Sequence, residues 1–129
     1  MANNATNYAE LEILDHVLGE GARNYTPGTL TVGLFTAVAD QEAGTVTEVS
    51  GNGYARTAVD FGAASAGSAS NSGAVTFPTA SGGDWGTITH AGIHDGTDWL
   101  FIGALTVSKT VTDGDTFQIS TGQLTVSLN

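Results

Sequence analysis

WGTITHAGIHDGTDWLFIGALTV, Trp85 to Val107, is the stretch whose reading decides the fold. Two runs rich in Thr, Ile and Trp flank the pentapeptide His94-Asp95-Gly96-Thr97-Asp98. Glycine accepts positive φ and aspartate tolerates it, so Asp95-Gly96 is a strong signal for a tight hairpin turn. WGTITHAGI and DWLFIGALT therefore read as two strands folded back at an aspartyl–glycyl corner. His90 and His94 would share one face of a helix, ready for a metal. On a strand, four residues span about 13 Å, and one zinc with bonds of about 2 Å cannot take both rings. The metal reading fails on geometry, and no metal or other cofactor is expected.

Outward from the hairpin, the period-two pattern continues. In TLTVGLFT, from Thr29, Leu30, Val32 and Leu34 point one way and Thr29, Thr31 and Gly33 the other. YARTAVDF, AVTFP, DTFQIS and QLTVSL complete the set of expected strands. Asp40 to Gly53 reads as an acidic loop, and GAASAGSASNSGA, from Gly62, as a surface loop of small residues. Turn signals recur about every eight to twelve residues, which predicts an all-β, antiparallel, jelly-roll-like sandwich of about seven or eight strands. Only the N-terminus reads as a helix, over about residues 7–19. Asn7 suits its N-cap, Glu10 the capping-box position, and Gly19 and Gly21 the stop. Leu11, Leu14, Val17 and Leu18 make an apolar stripe that suits either an open end of the sandwich or a neighbouring subunit.

Composition bounds the function. With 129 residues the chain is expected to form one domain, residues 1–129. Hydrophobic residues make up 40% and charged residues 12%, and 18 glycines stand against two prolines; that balance suits short strands and turns more than a helical bundle. The net charge is −10, with Arg23, Arg56 and Lys109 the only Lys or Arg side chains. Nucleic acid and anionic membranes are therefore excluded as expected partners, since both need several basic contacts. There is no cysteine, so disulfides and thiolate chemistry are absent. The N-terminus lacks a basic region and an unbroken apolar run, so no secretory signal is expected.

GSAS, Gly67 to Ser70, lacks the glycine two residues after a nucleophilic serine. No glycine-rich run leads into Lys-Ser or Lys-Thr. The acids of DGD, Asp113 to Asp115, belong to a turn and lack the spacing of a calcium loop; at most they make a weak exposed cation site. The chain is expected not to be an enzyme. Trp85 and Trp99 flank the hairpin at mirrored positions, which suits cross-strand packing, with a sugar-binding platform as the alternative. The hydroxyls of Tyr25 and Tyr54 are expected to satisfy backbone groups at turns.

SGNGYAR (Ser50 to Arg56), AVTFPTA (Ala74 to Ala80), WGTITHAGI (Trp85 to Ile93) and GALTVSKTVTDGDT (Gly103 to Thr116), in that order, resemble a family of small tailed-bacteriophage virion proteins often labelled tail-fibre proteins. The resemblance covers nearly the whole chain. It departs at Ala91, where a larger apolar residue is expected, and in the acidic Asp40 to Glu48 segment. The resemblance implies a virion structural protein at the capsid surface or the tail, made in the host cytoplasm. A compact acidic sandwich without fibrous repeats suits a capsid decoration (cement) protein that reinforces contacts between major capsid subunits. A tail-fibre or tail-associated protein is the alternative, and a carbohydrate-binding module using Trp85 and Trp99 a third reading. Expected partners are copies of itself, as a homotrimer, and the major capsid protein or another virion protein. Expected contacts lie in Met1 to Leu18, at Tyr8, Leu11, Leu14 and Leu18, and at Trp85 and Trp99.

Overall fold

The computed structural model describes residues 4–128. Its order is one helix, α1 (Asn7–Leu18), then nine strands among the described residues. These are β1 (Thr31–Asp40), β2 (Thr45–Glu48), β3 (Thr57–Ala58), β4 (Ser68–Ser70), β5 (Val75–Thr76), β6 (Gly86–His94), β7 (Trp99–Val111), β8 (Gln118–Ile119) and β9 (Thr125–Ser127). Every pairing is antiparallel. The fold is an all-β sandwich with an N-terminal helix.

The main layer runs β2-β1-β6-β7, and β3 continues the same edge of β1 that β2 occupies. The second layer is two short ribbons, β5–β8 and β4–β9. Alternation along β1 sends Val32 and Leu34 to the side between the layers, where they meet Val75, Phe77, Ile88, Val111 and Phe117. Full burial of such side chains contributes about 1.5–3 kcal/mol each, so this core dominates the stability. Gly33 and Phe35 face the other side, where Phe35, Trp99 and Ile102 form a separate cluster.

The central hairpin is the one the Asp-Gly corner predicts. β6 and β7 pair from His94↔Trp99 outward, and Gly96 sits at φ 96° in the turn. The ladder shifts register twice: Leu100 is skipped between the Ile93↔Phe101 and His94↔Trp99 pairs, and, since Ile88 pairs with Lys109 and His90 with Ala104, Thr89 alone faces the four residues Leu105 to Ser108. That excursion leaves Val107 69% exposed. At the far end of the hairpin Trp85 N–H donates to Val111 O, while Trp99, next to the turn, pairs with His94. The mirrored placement expected for the two tryptophans is thereby corrected.

Three further readings change. The N-cap is Thr6, not Asn7: its backbone is extended and its Oγ1 accepts from Ala9 N–H at 3.2 Å. Asn7 is the first helical residue instead. The acidic Asp40–Gly53 segment contains β2, which pairs along the outer half of β1. The small-residue tract after Gly62 contains β4, paired with β9. Composition hid both strands: β2, though it forms a hairpin with the adjacent β1, alternates polar residues in an acidic stretch, and β4 is made by pairing with the distant β9.

Candidate functional site

The base of α1 is tied to the central hairpin at several points. Ala5 bridges to Phe101, Thr6 N–H donates to Leu100 O at 2.9 Å, and Thr6 Oγ1 donates to Trp99 O at 2.6 Å. The Gln41 side-chain amide donates to the carbonyls of Asn4 and Ala5. Below these lies a small apolar cluster of Ala5, Ala9 and Leu100, flanked by Tyr8, Tyr25 and Phe101.

Asp95, at the hairpin corner, is the polar centre of this junction. It is 3% exposed. Its Oδ1 accepts the N–H groups of Thr97 and Asp98 at 2.8 and 2.9 Å, which shapes the turn. Its Oδ2 accepts from Tyr25 at 2.7 Å and Tyr8 at 3.1 Å. Burial pushes the carboxyl upward, but hydrogen bonds led by the Asp98 N–H outweigh it and hold the group below its ordinary value. Burial and donation to Asp95 raise both tyrosine hydroxyls. One carboxylate thus orders the hairpin tip, the helix and the loop at Tyr25 together. The Asp-Gly signal predicts the turn alone; the two phenols reach it from 70 and 87 residues away in sequence.

This anchoring decides which helix face packs. Ala9 is the one buried residue of α1, so the helix meets the sheet on the Ala9 side. Leu11, Leu14, Val17 and Leu18 are 63%, 53%, 58% and 69% exposed. At about 100° per residue these four fall within an arc of about 120° pointing away from the body. The stripe does not close an end of the sandwich. Of the expected contact residues, Leu11, Leu14 and Leu18 lie on this face and Tyr8 at its anchored base. Met1 to Asn3, part of the expected contact segment, lie outside the described residues.

Trp85 and Trp99 are elsewhere. Each is 6% exposed, so neither offers a ring face as a partner contact or sugar platform. Trp85 packs in the inter-layer core, edge-on to Tyr54, and its Nε1 donates to Asn52 O at 2.9 Å. Trp99 lies on the outer face between Phe35 and His94, both edge-on, with the Arg56 guanidinium 4.6 Å over its ring. Arg56 also grips Glu48 with two 2.9 Å hydrogen bonds, and Tyr54 donates to the same carboxylate at 2.7 Å. Burial pushes Glu48 up, and the bonds from Arg56 and Tyr54 bring it down by more. The expectation for Tyr54 holds in part: its hydroxyl accepts Leu34 N–H, but the proton goes to Glu48.

The two hairpin histidines and the Asp113–Asp115 turn are held by partners close in sequence, and Asn71 by partners across the fold. His90 Nδ1 pairs with Thr89 Oγ1, and His94 Nδ1 accepts Gly96 N–H. Asp115 accepts from the backbone and hydroxyl of Thr112 within its own turn. Asn71, 2% exposed, reaches Gly73 O, Ser120 O and Leu124 N–H, clipping the β4–β9 end shut. Among the described residues no group of three or more His, Asp or Glu is placed to hold a metal. No helix among them is long and apolar enough to cross a membrane. Among the described residues, Leu11, Leu14, Val17 and Leu18 gather most of the exposed large hydrophobic side chains onto this one face of α1.

No curated protein matches the chain. A family model described as podophage GP4 fiber I protein gp80 matches residues 4–127, from the strand pairing before α1 to the end of β9. A match of that extent assigns a virion-associated structural protein, and the chain belongs to the podophage GP4 fiber I protein gp80 family.

Proposed function

We propose that the chain is a structural subunit of a phage fibre or tail assembly, a rigid β body joined to its neighbours through the exposed face of α1. The observation that carries this reading is the arc of Leu11, Leu14, Val17 and Leu18, all more than half exposed, on a helix held by Thr6 and, through Tyr8, by Asp95. An apolar helix face laid into a groove is a recurrent mode of protein recognition. Its anchors cost free energy in water and regain it on burial. The clamp at the base adds to this, because a helix already held in place loses less freedom on binding. The family's description as a fibre protein supports the fibre side over capsid decoration. The partners would be further copies of the chain or another virion protein.

The test is location and copy number in purified virions. Antibody raised against the chain should label the tail end in electron micrographs, and a stained gel should show few copies relative to the major capsid protein. Label spread over the shell at a copy number close to that of the capsid protein would replace this reading with decoration.

A further inference from the structure

A second surface complements the helix. Between the excursion of β7 and the β8–β9 end lies an open groove of about 450 Å³. Its apolar lining comes from Leu105, Val107, Phe117, Ile119, Leu124 and Val126. In a chain of net charge −10, the groove is lined by Lys109 and, among the described residues, by no Asp or Glu. Lys109 forms no ion pair among the described residues. The exposed arc of α1 has the opposite character: Leu11, Leu14 and Leu18 share it with Glu10, and Asp15 stands at its edge.

We propose that the apolar face of α1 in one copy seats in the β7–β9 groove of a second copy. Volume and length fit. A cavity that holds one small apolar side chain or ring measures about 150 Å³, so the groove has room for about three, matching Leu11, Leu14 and Leu18. Leu11 to Leu18 spans about 10 Å along the helix, matching the stretch of sheet from Gly103 to Lys109, whose partners Ala91 and Ile88 lie about 10 Å apart along β6. Charge fits as well: Asp15, at the edge of the arc, faces a groove whose nearest formal charge is Lys109. A helix-to-helix contact would instead bring the acids of two copies together. Because the contact joins two different patches, it either closes reciprocally in a small oligomer or runs on head to tail. This inference rests on the reading of α1 as the joining element, and it names the partner.

The test is self-association of the full chain, followed by sedimentation over a dilution series up to about 1 mM. The parent should form dimers or larger species. Leu14→Glu, which spoils the helix face, and Val107→Glu, which spoils the groove, should each weaken association about tenfold or more. Both positions are exposed, so far-ultraviolet circular dichroism should match the parent. Mixing the two variants should restore a heterodimer, since the intact helix of one meets the intact groove of the other. Lys109→Glu should weaken association, and Lys109→Glu with Asp15→Lys should recover it. A parent that is monomeric throughout, variants that associate as the parent does, or a mixture that forms no heterodimer would each overturn the proposal. None of those outcomes moves the label on the virion, so the tail-location reading stands or falls separately.

Discussion

Gly92→Ala adds one methyl group to the outer face of the central sheet, and the structure says what that methyl meets. Gly92 pairs with Gly33 across β6 and β1, and neither has positive φ. Backbone freedom is therefore not why glycine stands there. A Cβ at Gly92 would lie 2.7 and 2.8 Å from two ring carbons of Phe35 and 3.0 Å from Trp99 Cε3. Carbon pairs rest at about 3.5–4.0 Å, so the rings must withdraw by about 0.7 Å. Phe35 is fully buried and packed edge-on to Trp99 at 4.7 Å, while Trp99 is capped by Arg56, so neither ring has free space to enter. Overpacking of this kind costs about 1–3 kcal/mol. Alanine recovers about 0.4–1 kcal/mol through the unfolded chain. The net loss is about 1–2 kcal/mol, which for a chain of this length lowers Tm by about 3–10 °C. Thermal unfolding followed by circular dichroism measures it. Gly73→Ala is the control, because no atom lies within 4 Å of the added carbon and φ is not positive; it should melt at or slightly above the parent. In a Phe35→Leu background the Gly92→Ala penalty should shrink. A Gly92→Ala protein that melts with the parent would refute the account of the aromatic face.

Gly96→Val should lower Tm by several degrees, since a β-branched residue at φ 96° costs about 1–3 kcal/mol; an unchanged melting curve would remove the turn assignment. Asp95 has a folded pKa below the unfolded 3.8, so its contribution is complete above that value and is lost as pH falls through the folded pKa. Acid titration of stability should therefore be steeper in the parent than in Asp95→Asn below about pH 4, and coincident slopes would rule out the clamp. Asp95→Asn should also speed amide hydrogen exchange in α1, because Tyr8 and Tyr25 lose their ionised acceptor. Trp99→Ala should cost about 3–5 kcal/mol as a core deletion; a variant as stable as the parent would return Trp99 to the surface roles considered from sequence.

The hairpin was legible because its signal is local. Asp95-Gly96 and the alternation on either side require no knowledge of distant residues, and β6 and β7 form where they predict. The α1 boundaries were legible for the same reason, from helical spacing and Gly19. The strands missed in the acidic and small-residue segments, β2 and β4, are short and polar outward; pairing with β1 and β9 creates them. The Gly33–Gly92 gap was invisible because it exists only where two strands meet under Trp99. The two tryptophans were misplaced because Trp99 directly follows the turn and pairs with His94, whereas Trp85 lies at the opposite end of the hairpin beside Val111.

By itself the sequence determined the period-two pattern, the turn chemistry, the charge balance and a helix with an apolar stripe. All of these depend on neighbours within a few residues. Only the tertiary structure decided where that stripe points. Thr6 and Asp95 tie the helix base to the hairpin corner, burying Ala9 and turning the leucines outward. A stripe records which side chains share a face, while its direction depends on contacts made across the fold.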